Sequence, residues 1–259
     1  MRALSIQAHP DDTEFLCGGA MALLAQRGWR IGILTCCNGD CGSDRLPAKE
    51  IAAIRLKEGK RAAETIGAEY ETLGVGDAQL VFDNPTRRLV AQGARRFAPD
   101  LVFAPCAEDY VADHTICSAL AADACFNAAL PNYETGARNA APPLRAVPHL
   151  YYCDPIELLD RYGRTVAPAI CVDISSVIET KAEMLSRHAS QREWLLRHHG
   201  IDQYVESMRA WSRARGALIG VGYAEGFRQN LGQGYPRTDL LGEALGGLRR
   251  QAKACPTEP

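Results

Sequence analysis

The chain has 259 residues, of which 47% are hydrophobic and 23% charged, and its formal net charge at pH 7 is −2. This length and composition predict a soluble globular protein with one large α/β domain or two small ones. The near-neutral charge gives no reason to expect binding to nucleic acid or to an acidic membrane surface. No window approaches the roughly 18 consecutive apolar residues of a transmembrane helix.

Ten cysteines are scattered along the chain, and the N-terminus turns acidic at Asp11 and Asp12, too early for a signal peptide. Scattered cysteines without a secretory signal favour free thiols in a reducing compartment, so we expect a cytoplasmic protein. Cys36, Cys37 and Cys41 lie close together. No second cysteine pair at zinc-finger spacing accompanies them, which favours buried or idle thiols over a soft metal site.

Strand and helix patterns alternate through the first half of the chain. A short apolar run at 3–8 predicts the first strand, and the segment 14–28 has helical spacing and ends on Gly28, a residue typical of helix C-termini. The same patterns predict, in chain order, a strand at 29–37, a helix at 48–67, a strand at 70–74, a helix at 85–97, a strand at 99–106 and a helix at 115–130. Strands that alternate with helices of this length indicate a parallel sheet with helices on both faces.

The second half of the chain predicts further elements around the same sheet. A loop rich in Pro, Gly and Asn at 131–148 either lies over a site or serves as a tether. The elements predicted after it are strands at 149–154 and 168–174, a helical region at 175–199 that opens with a capping box from Ser175 or Ser176 to Glu179, and a helix at 201–215. Since no repeat or clear linker is present, we expect one domain over 1–259. Its fold is α/β, with a Rossmann-like, mostly parallel sheet and extra C-terminal strands and helices.

Two loops rich in His and Asp follow the first and fourth predicted strands. The loop after strand 1 contains HPDDTE (9–14), and the loop after strand 4 reads CAEDYVADH (106–114). In a doubly wound sheet with strand order 3-2-1-4, strands 1 and 4 are neighbours where the strand order reverses, and ligands bind there, outside the carboxyl ends of the strands. The two loops are therefore expected to face each other across one crevice.

The facing loops contain candidate ligands for a metal ion. His9, Asp12 and His114 supply two imidazoles and one carboxylate, and three such ligands with an open position suit catalytic zinc (Zn²⁺). Asp11 cannot readily bind the same ion as its immediate neighbour, so it is better placed to take a proton from the metal-bound water. For Asp11 and Asp12 alone, helix capping is the simpler interpretation. His114 on the facing loop is what favours the metal site.

These motifs resemble those of a known family. The similarity is to the PIG-L/LmbE-like superfamily of zinc-dependent N-deacetylases, whose members mostly remove acetyl groups from amino sugars or sugar-linked metabolites. The segments that carry it are AHPDDTE (8–14), GGA (18–20), EDYVADH (108–114), HASQ (188–191) and YAEGF (223–227). The likeness therefore extends over most of the chain.

The resemblance also implies roles for individual residues. It implies a metal ion bound by His9, Asp12 and His114, with Asp11 as the base that activates water. Arg55, in AAIRLKEGKRAAE, matches a family arginine that holds substrate or acetate.

Arg55 and His188 have simpler explanations as well. Arg55 lies within a predicted helix among Lys57, Lys60 and Arg61, and such a run is usually a solvated basic face. His188 is explained by a polar position on an amphipathic helix, although HASQ recurs in the resembling family. The resemblance alone makes Arg55 and His188 candidates for substrate binding.

One position departs from the family pattern. The usual second motif is His-x-Asp-His, whose first histidine helps to stabilise the tetrahedral intermediate, and here that position is Val111. Valine cannot donate a hydrogen bond or a proton, and loss of one oxyanion donor typically costs about 10²–10³ in rate. Another group could substitute, with Tyr110 or His188 the nearest candidates by motif. Otherwise the zinc carries the oxyanion alone, or the reaction is not ordinary amide hydrolysis.

Three functions are consistent with the sequence. The favoured hypothesis is zinc-dependent hydrolysis of an N-acyl group on a small, sugar-containing or polar metabolite, with Tyr110 assisting catalysis. The alternative is a zinc-dependent hydratase of an unsaturated carboxylic acid, an activity that the resembling superfamily includes. A non-catalytic sugar-binding protein is the third, and Asp11 argues against it because a binder has no use for a base beside a metal ligand. The expected partner is a small-molecule substrate, and the sequence leaves a homo-oligomer open.

Overall fold

A mixed sheet of eight strands crosses the protein, whose computed structural model describes residues 1–192 and 203–252. The strands, in chain order, are β1 (Arg2–Gln7), β2 (Arg30–Cys37), β3 (Glu69–Val75), β4 (Leu101–Ala104), β5 (His149–Cys153), β6 (Ile170–Asp173), β7 (Ala224–Gln229) and β8 (Arg249–Gln251). Their order in the sheet is β3-β2-β1-β4-β5-β7-β6-β8. The strands β1 to β5 pair in parallel with one another, whereas β6, β7 and β8 make only antiparallel pairs. The predicted order 3-2-1-4 is confirmed.

Helices cover both faces of this sheet, as the alternating pattern predicts. They are α1 (Asp12–Leu16), α2 (Gly18–Gln26), α3 (Ala48–Glu64), α4 (Asn84–Phe97), α5 (Ala112–Asn127), α6 (Ile178–Ser186), α7 (Gln203–Ile219) and α8 (Leu240–Leu245). One hydrophobic cluster joins α2, α6 and α7 to one face, and a second joins α4 and α5 to the other. In β4, Leu101 and Phe103 belong to the first cluster and Val102 and Ala104 to the second, because successive side chains of a strand point to opposite faces.

The prediction of one continuous helix at 14–28 is wrong. Cys17, with φ −143° and ψ 12°, breaks the helical path between α1 and α2. The Glu225 carboxylate on β7 accepts hydrogen bonds from the backbone N–H groups of Gly19 and Ala20, each at 2.7 Å. A carboxylate at exposed backbone N–H groups stabilises a helix N-terminus, so α2 begins as a separate helix.

A buried ion pair fixes this junction to the C-terminal part of the chain. Lys181 on α6 donates to Glu225 at 2.7 Å and to the Phe15 carbonyl at 2.8 Å. Lys181 and Glu225 are 1% and 3% exposed, so loss of one partner would leave an uncompensated buried charge. The pair thereby holds α1, which contains Asp12, against α6 and β7.

The C-terminal helices also differ from the sequence-based expectation. The helical region predicted at 175–199 is interrupted after Ser186, and helical backbone resumes at 189–192. Residues 193–202 lie outside the described part of the chain, as do those after 252. The predicted capping box is wrong, because no side chain caps the start of α6 and Glu179 pairs instead with Arg209 on α7 at 2.7 Å. The helix predicted at 201–215 corresponds to α7, which the structure describes from Gln203 onward.

The described cysteines are all free thiols, as their scattered pattern predicts. All of them are buried except Cys41. Within residues 1–192 and 203–252, no helix has the length and hydropathy required to cross a membrane.

Candidate active site

The polar segments that follow β1 and β4 meet at the carboxyl end of the sheet. Because β1 pairs with β4, with Ala3 opposite Leu101, the next residues along both strands bring His9 close to His114. Helix α5 begins at Ala112, three residues earlier than predicted, so His114 lies in its first turn rather than on a loop. The expectation that the two motifs share one crevice is confirmed.

Three candidate metal ligands converge there. His9 Nδ1 lies 3.3 Å from His114 Nε2, and the two Asp12 oxygens lie 3.4 Å from His114 Nε2 and 3.6 Å from His9 Nδ1. One ligand atom from each residue lies within 4.8 Å of the others. Two imidazoles and a carboxylate are a common ligand set of catalytic zinc, so these residues fit a divalent metal ion.

Two further carboxylates approach the outer nitrogens of both histidines. Asp113 Oδ2 lies 3.1 Å from His9 Nε2, and Asp109 Oδ1 lies 3.1 Å from His114 Nδ1. Asp113 is fixed by the backbone N–H of Ala78 at 2.8 Å, and Asp109 is fully buried. A metal-binding histidine usually donates the N–H of its second ring nitrogen to such a carboxylate. This hydrogen bond sets the tautomer and the orientation of the ring. This arrangement is a second, independent feature that fits a metal ion.

The carboxylates determine the charge of the histidines in the absence of metal. Burial acts to lower the pKa of His9, but its hydrogen bonds with Asp113 and Asp12 outweigh burial and raise the pKa to about 10. Burial likewise acts to lower the pKa of His114, and Asp12 and Asp109 raise it to about 10. Burial acts to raise the pKa of Asp12, yet the two histidines hold it well below its usual range. A metal ion would therefore have to displace protons from the histidines.

Asp11 precedes the candidate ligand Asp12 and has a strained backbone. Its φ of 104° is uncommon for a residue with a Cβ atom. Arg55 Nη2 donates to Asp11 Oδ1 at 3.1 Å and also to the Pro10 carbonyl, and the Tyr204 hydroxyl donates to Asp11 Oδ2 at 2.5 Å. Arg55 and Tyr204 thus hold both oxygens of the carboxylate in one orientation.

The surroundings of Asp11 suit a general base. Burial raises the pKa of Asp11 and outweighs the opposing charges of Arg55 and His188. A raised pKa brings a carboxyl group closer to the operating pH, where proton transfer is most efficient. Asp11 also lines the crevice, so it is accessible to a ligand bound there.

Arg55 and His188, both predicted to bind substrate, occupy different positions. Arg55 lines the crevice but is 4% exposed and pairs with Asp11, so it does not lie on a solvated basic face. His188 is fully buried, and its Nε2 lies 3.5 Å from Glu14 Oε2. The geometry gives Arg55 a role in orienting Asp11. It does not support contact between His188 and substrate, because the His188 side chain has no accessible surface.

Tyr110 and Val111 form the rim beside His114. The exposed Tyr110 ring packs edge-on against the His114 imidazole, with 5.9 Å between ring centroids. Desolvation beside the crevice, followed by the charges of Asp12 and Asp109, raises the pKa of Tyr110 to about 12, so its hydroxyl remains a hydrogen-bond donor at neutral pH. Val111 lines the same crevice with an apolar side chain.

The described residues enclose a crevice of about 780 Å³ above the candidate metal ligands. Acidic, hydroxyl, aromatic and aliphatic side chains from several elements contribute to its walls. They include Phe15, Asp77, Ile156, Glu157, Ser207 and Trp211. Among the described lining residues, Arg55 is the single arginine or lysine.

Known proteins are similar to this chain in both sequence and fold. The profile of the PIG-L family, described as GlcNAc-PI de-N-acetylase, matches residues 4–125, the part that contains all three candidate ligands. Diacetylchitobiose deacetylase of Thermococcus kodakarensis is 28% identical over 236 residues, which cover 88% of this chain and 82% of that protein. The 4-oxalmesaconate hydratase of Pseudomonas putida is 32% identical over 157 residues, which cover 57% of this chain and 61% of that protein.

A solved structure supports the fold over nearly the whole chain. The crystal structure of a conserved protein from Thermus thermophilus is 32% identical and has a TM-score of 0.73, covering 88% of this chain and 94% of that one. The similarity therefore extends well beyond residues 4–125, the part that the family profile matches.

We predict that zinc binding to the metal-free protein releases protons. Near pH 7 the raised pKa values of His9 and His114 keep protons on the cluster, and these must leave when the nitrogens coordinate metal. Titration calorimetry in two buffers of different ionisation enthalpy should give at least about one proton released per ion. Identical heats in the two buffers would contradict this electrostatic description of the site.

Proposed function

Because the chain belongs to the PIG-L/LmbE-like deacetylase family, we propose that it is a metal-dependent hydrolase that removes an N-acyl group, most simply acetyl, from a small sugar-containing metabolite. The observation that carries the proposal is the convergence of His9, Asp12 and His114 beside Asp11 at the floor of one crevice. The relative from Thermococcus kodakarensis, named as a diacetylchitobiose deacetylase, supports both the reaction and the sugar-like substrate.

His9, Asp12 and His114 would hold the metal ion. When bound, a divalent ion such as zinc supplies Lewis acidity, which makes water a stronger acid and polarises an acyl oxygen. Asp11 takes the proton from the attacking water and later delivers it to the leaving amine. Arg55 and Tyr204 keep the Asp11 carboxylate in position for both transfers.

The oxyanion of the tetrahedral intermediate needs a donor at the place where Val111 offers none. Tyr110 is the adjacent residue, and its raised pKa keeps the hydroxyl protonated during the reaction. Since Tyr110 is exposed, its side chain has freedom to move toward a bound substrate. We assign the oxyanion contact of the protein to Tyr110.

A second candidate function is hydration of an unsaturated carboxylic acid. The hydratase of Pseudomonas putida is a relative at 32% identity. Val111 also stands in place of the motif histidine, the hydrogen-bond donor that amide hydrolysis would use. The charge of the crevice opposes this alternative. Asp77 and Glu157 line it, whereas the one lining guanidinium among the described residues, that of Arg55, is already paired with Asp11. A substrate with several carboxylates would meet like charges there, but a neutral amide would not.

The zinc-loaded protein should release acetate from at least one N-acetylated amino sugar and should not hydrate unsaturated dicarboxylates. Asp11→Asn should retain zinc and lose about 10²–10⁴ in rate, because the amide cannot accept the proton. Acetate detection and metal analysis of the same samples give both results.

Asp123→Asn is the matched control for this assay. Asp123 lies on α5, the helix that contains His114, but pairs with Arg87 and does not line the crevice. Its substitution should leave rate and metal content unchanged. Hydration without acetate release would reject the deacetylase in favour of the second candidate, and full activity in Asp11→Asn would exclude Asp11 as the base.

Tyr110→Phe should lower kcat by about 10²–10³ with little change in KM, because the hydroxyl donates to an oxyanion that exists only along the reaction. Tyr162→Phe is the control, since Tyr162 is 75% exposed and lies outside the crevice. Steady-state kinetics on one N-acetyl sugar measures the effect. An unchanged kcat in Tyr110→Phe would contradict a hydrogen bond from Tyr110 to the oxyanion, whose stabilisation would then come from the metal ion alone.

A further inference from the structure

A second large cavity lies at the end of the sheet opposite the crevice. The crevice lies beyond the carboxyl ends of β1 and β4, whereas this cavity of about 760 Å³ is lined by Arg2, Asp100 and His149, at the amino ends of β1, β4 and β5. Backbone hydrogen bonds join the three residues, since the Asp100 N–H donates to the Arg2 carbonyl at 2.9 Å and the His149 N–H donates to the Asp100 carbonyl at 3.0 Å. No described residue lines both cavities.

The Pro-rich loop at 131–148 supplies one wall of this cavity, which all of its last residues, 142–148, line. The Leu144 N–H donates to the Ala128 carbonyl at 2.9 Å, and the buried Leu144 side chain packs with Ala94 and Ala128. These contacts fix the wall against α4 and the end of α5. Of the two roles predicted for this loop, cover of a site and tether, the contacts favour the first.

Arg95, in the last turn of α4, lines the cavity and has no carboxylate partner. It is 5% exposed, and it donates from Nε to the Ala128 carbonyl at 3.0 Å and from Nη2 to the Leu130 carbonyl at 2.8 Å. The Ala128 carbonyl thus joins Arg95 to the N–H of Leu144, the residue before Arg145. Burial lowers the pKa of Arg95, and no carboxylate is among the groups that oppose this effect. Its Nη1 makes no hydrogen bond within residues 1–192 and 203–252.

Arg2 and Arg145 add two exposed guanidinium groups to the lining. Arg2 Nη1 donates to the Phe97 carbonyl at 3.1 Å, whereas Arg145 has no hydrogen bond or ion pair to any residue that the structure describes. Asp100 is the one carboxylate among the described lining residues, and its Oδ2 accepts a hydrogen bond from the Arg2 backbone N–H at 2.7 Å. Positive charge therefore predominates here, the reverse of the crevice, where acidic side chains outnumber a single arginine.

Helix ends account for part of this arrangement. Phe97 is the last residue of α4, and Ala128 and Leu130 follow α5, so their carbonyls carry the partial negative charge of helix C-termini, which favours arginines nearby. These carbonyls leave Arg145 and Nη1 of Arg95 without an acceptor among the described residues. An anion in the cavity would supply both an acceptor and the missing counter-charge.

We propose that this cavity binds a small organic phosphate monoester, whose phosphate group contacts Arg95 and Arg145. Such a group carries about 1.5 to 2 negative charges at pH 7, and its oxygens match the planar donor geometry of arginine. The organic part of the ligand packs on the apolar wall, which includes Pro142, Pro143, Val147 and Leu240. The volume of the cavity is within the range of roughly 300–1,000 Å³ that is typical of small-molecule sites.

Calorimetric titration with phenyl phosphate tests the site without reference to turnover, so its result does not depend on the proposed function. The wild-type protein should bind phenyl phosphate more tightly than inorganic phosphate, because only the former reaches the apolar wall, and it should not bind phenol. Arg145→Gln should weaken phenyl phosphate binding by about tenfold or more, the effect of one hydrogen bond to a charged group. Arg138→Gln, at an exposed arginine of the same loop outside the cavity lining, should bind as the wild type does.

Arg95→Lys is a second variant, which retains the positive charge but loses the planar donor geometry, and it should also weaken binding by about tenfold. Its thermal unfolding shows whether it folds. If it does not, Arg145→Gln decides the question, because Arg145 makes no contact on which the fold depends.

The metal content and the source of the phosphate give the remaining outcomes. Metal-free and zinc-loaded protein should both show binding that depends on Arg145, since no described lining residue belongs to the crevice. Binding that requires zinc and survives Arg145→Gln would locate the anion in the crevice and overturn the proposal, as would no binding to the wild type. Binding to vesicles that contain phosphatidic acid, without binding of phenyl phosphate, would assign the arginines to a lipid surface and overturn the small-molecule site.

Discussion

The parallel pairing of β1 with β4 is the constraint on which the site depends. It brings His9 at the end of β1 to within hydrogen-bonding distance of His114 at the start of α5, although 105 residues separate them in sequence. The Lys181–Glu225 ion pair then fixes α1 behind the cluster from the opposite end of the chain. Asp12 and His114 therefore lie in the first turns of helices, and His9 follows β1 by two residues, which gives the candidate ligands a rigid support.

Much of this arrangement was predictable from local sequence. Alternating strand and helix patterns predict the order 3-2-1-4, and the topology rule then places HPDDTE opposite EDYVADH. The break at Cys17 was not predictable, because the carboxylate that starts α2 comes from Glu225, about 200 residues away. The antiparallel end of the sheet was predicted only as extra elements, since β8 has three residues and the sequence of β7, AEGFRQ, contains Gly and three polar side chains in place of an apolar run.

The environment of the predicted base was the least predictable part of the site. Tyr204 donates to Asp11 across 193 residues of sequence, and its spacing on α7 indicates only a buried face. Arg55 lies in a helix segment rich in Lys and Arg, a pattern that predicts a solvated surface. It is nevertheless buried, and its contacts with Asp11 and Pro10 orient it. In each case the deciding factor is a tertiary contact between side chains, and the orientation of such contacts is not encoded in local periodicity.

The central claim is that His9, Asp12 and His114 bind one divalent metal ion. Anomalous diffraction from crystals of the zinc-loaded protein tests it most directly. We expect a single strong peak at about 2.0–2.2 Å from one atom of each of the three residues, with the fourth position open to the crevice. A peak only at another group of candidate donors, such as Asp40, Cys41 and Asp77, or no peak at the three residues, would contradict the account.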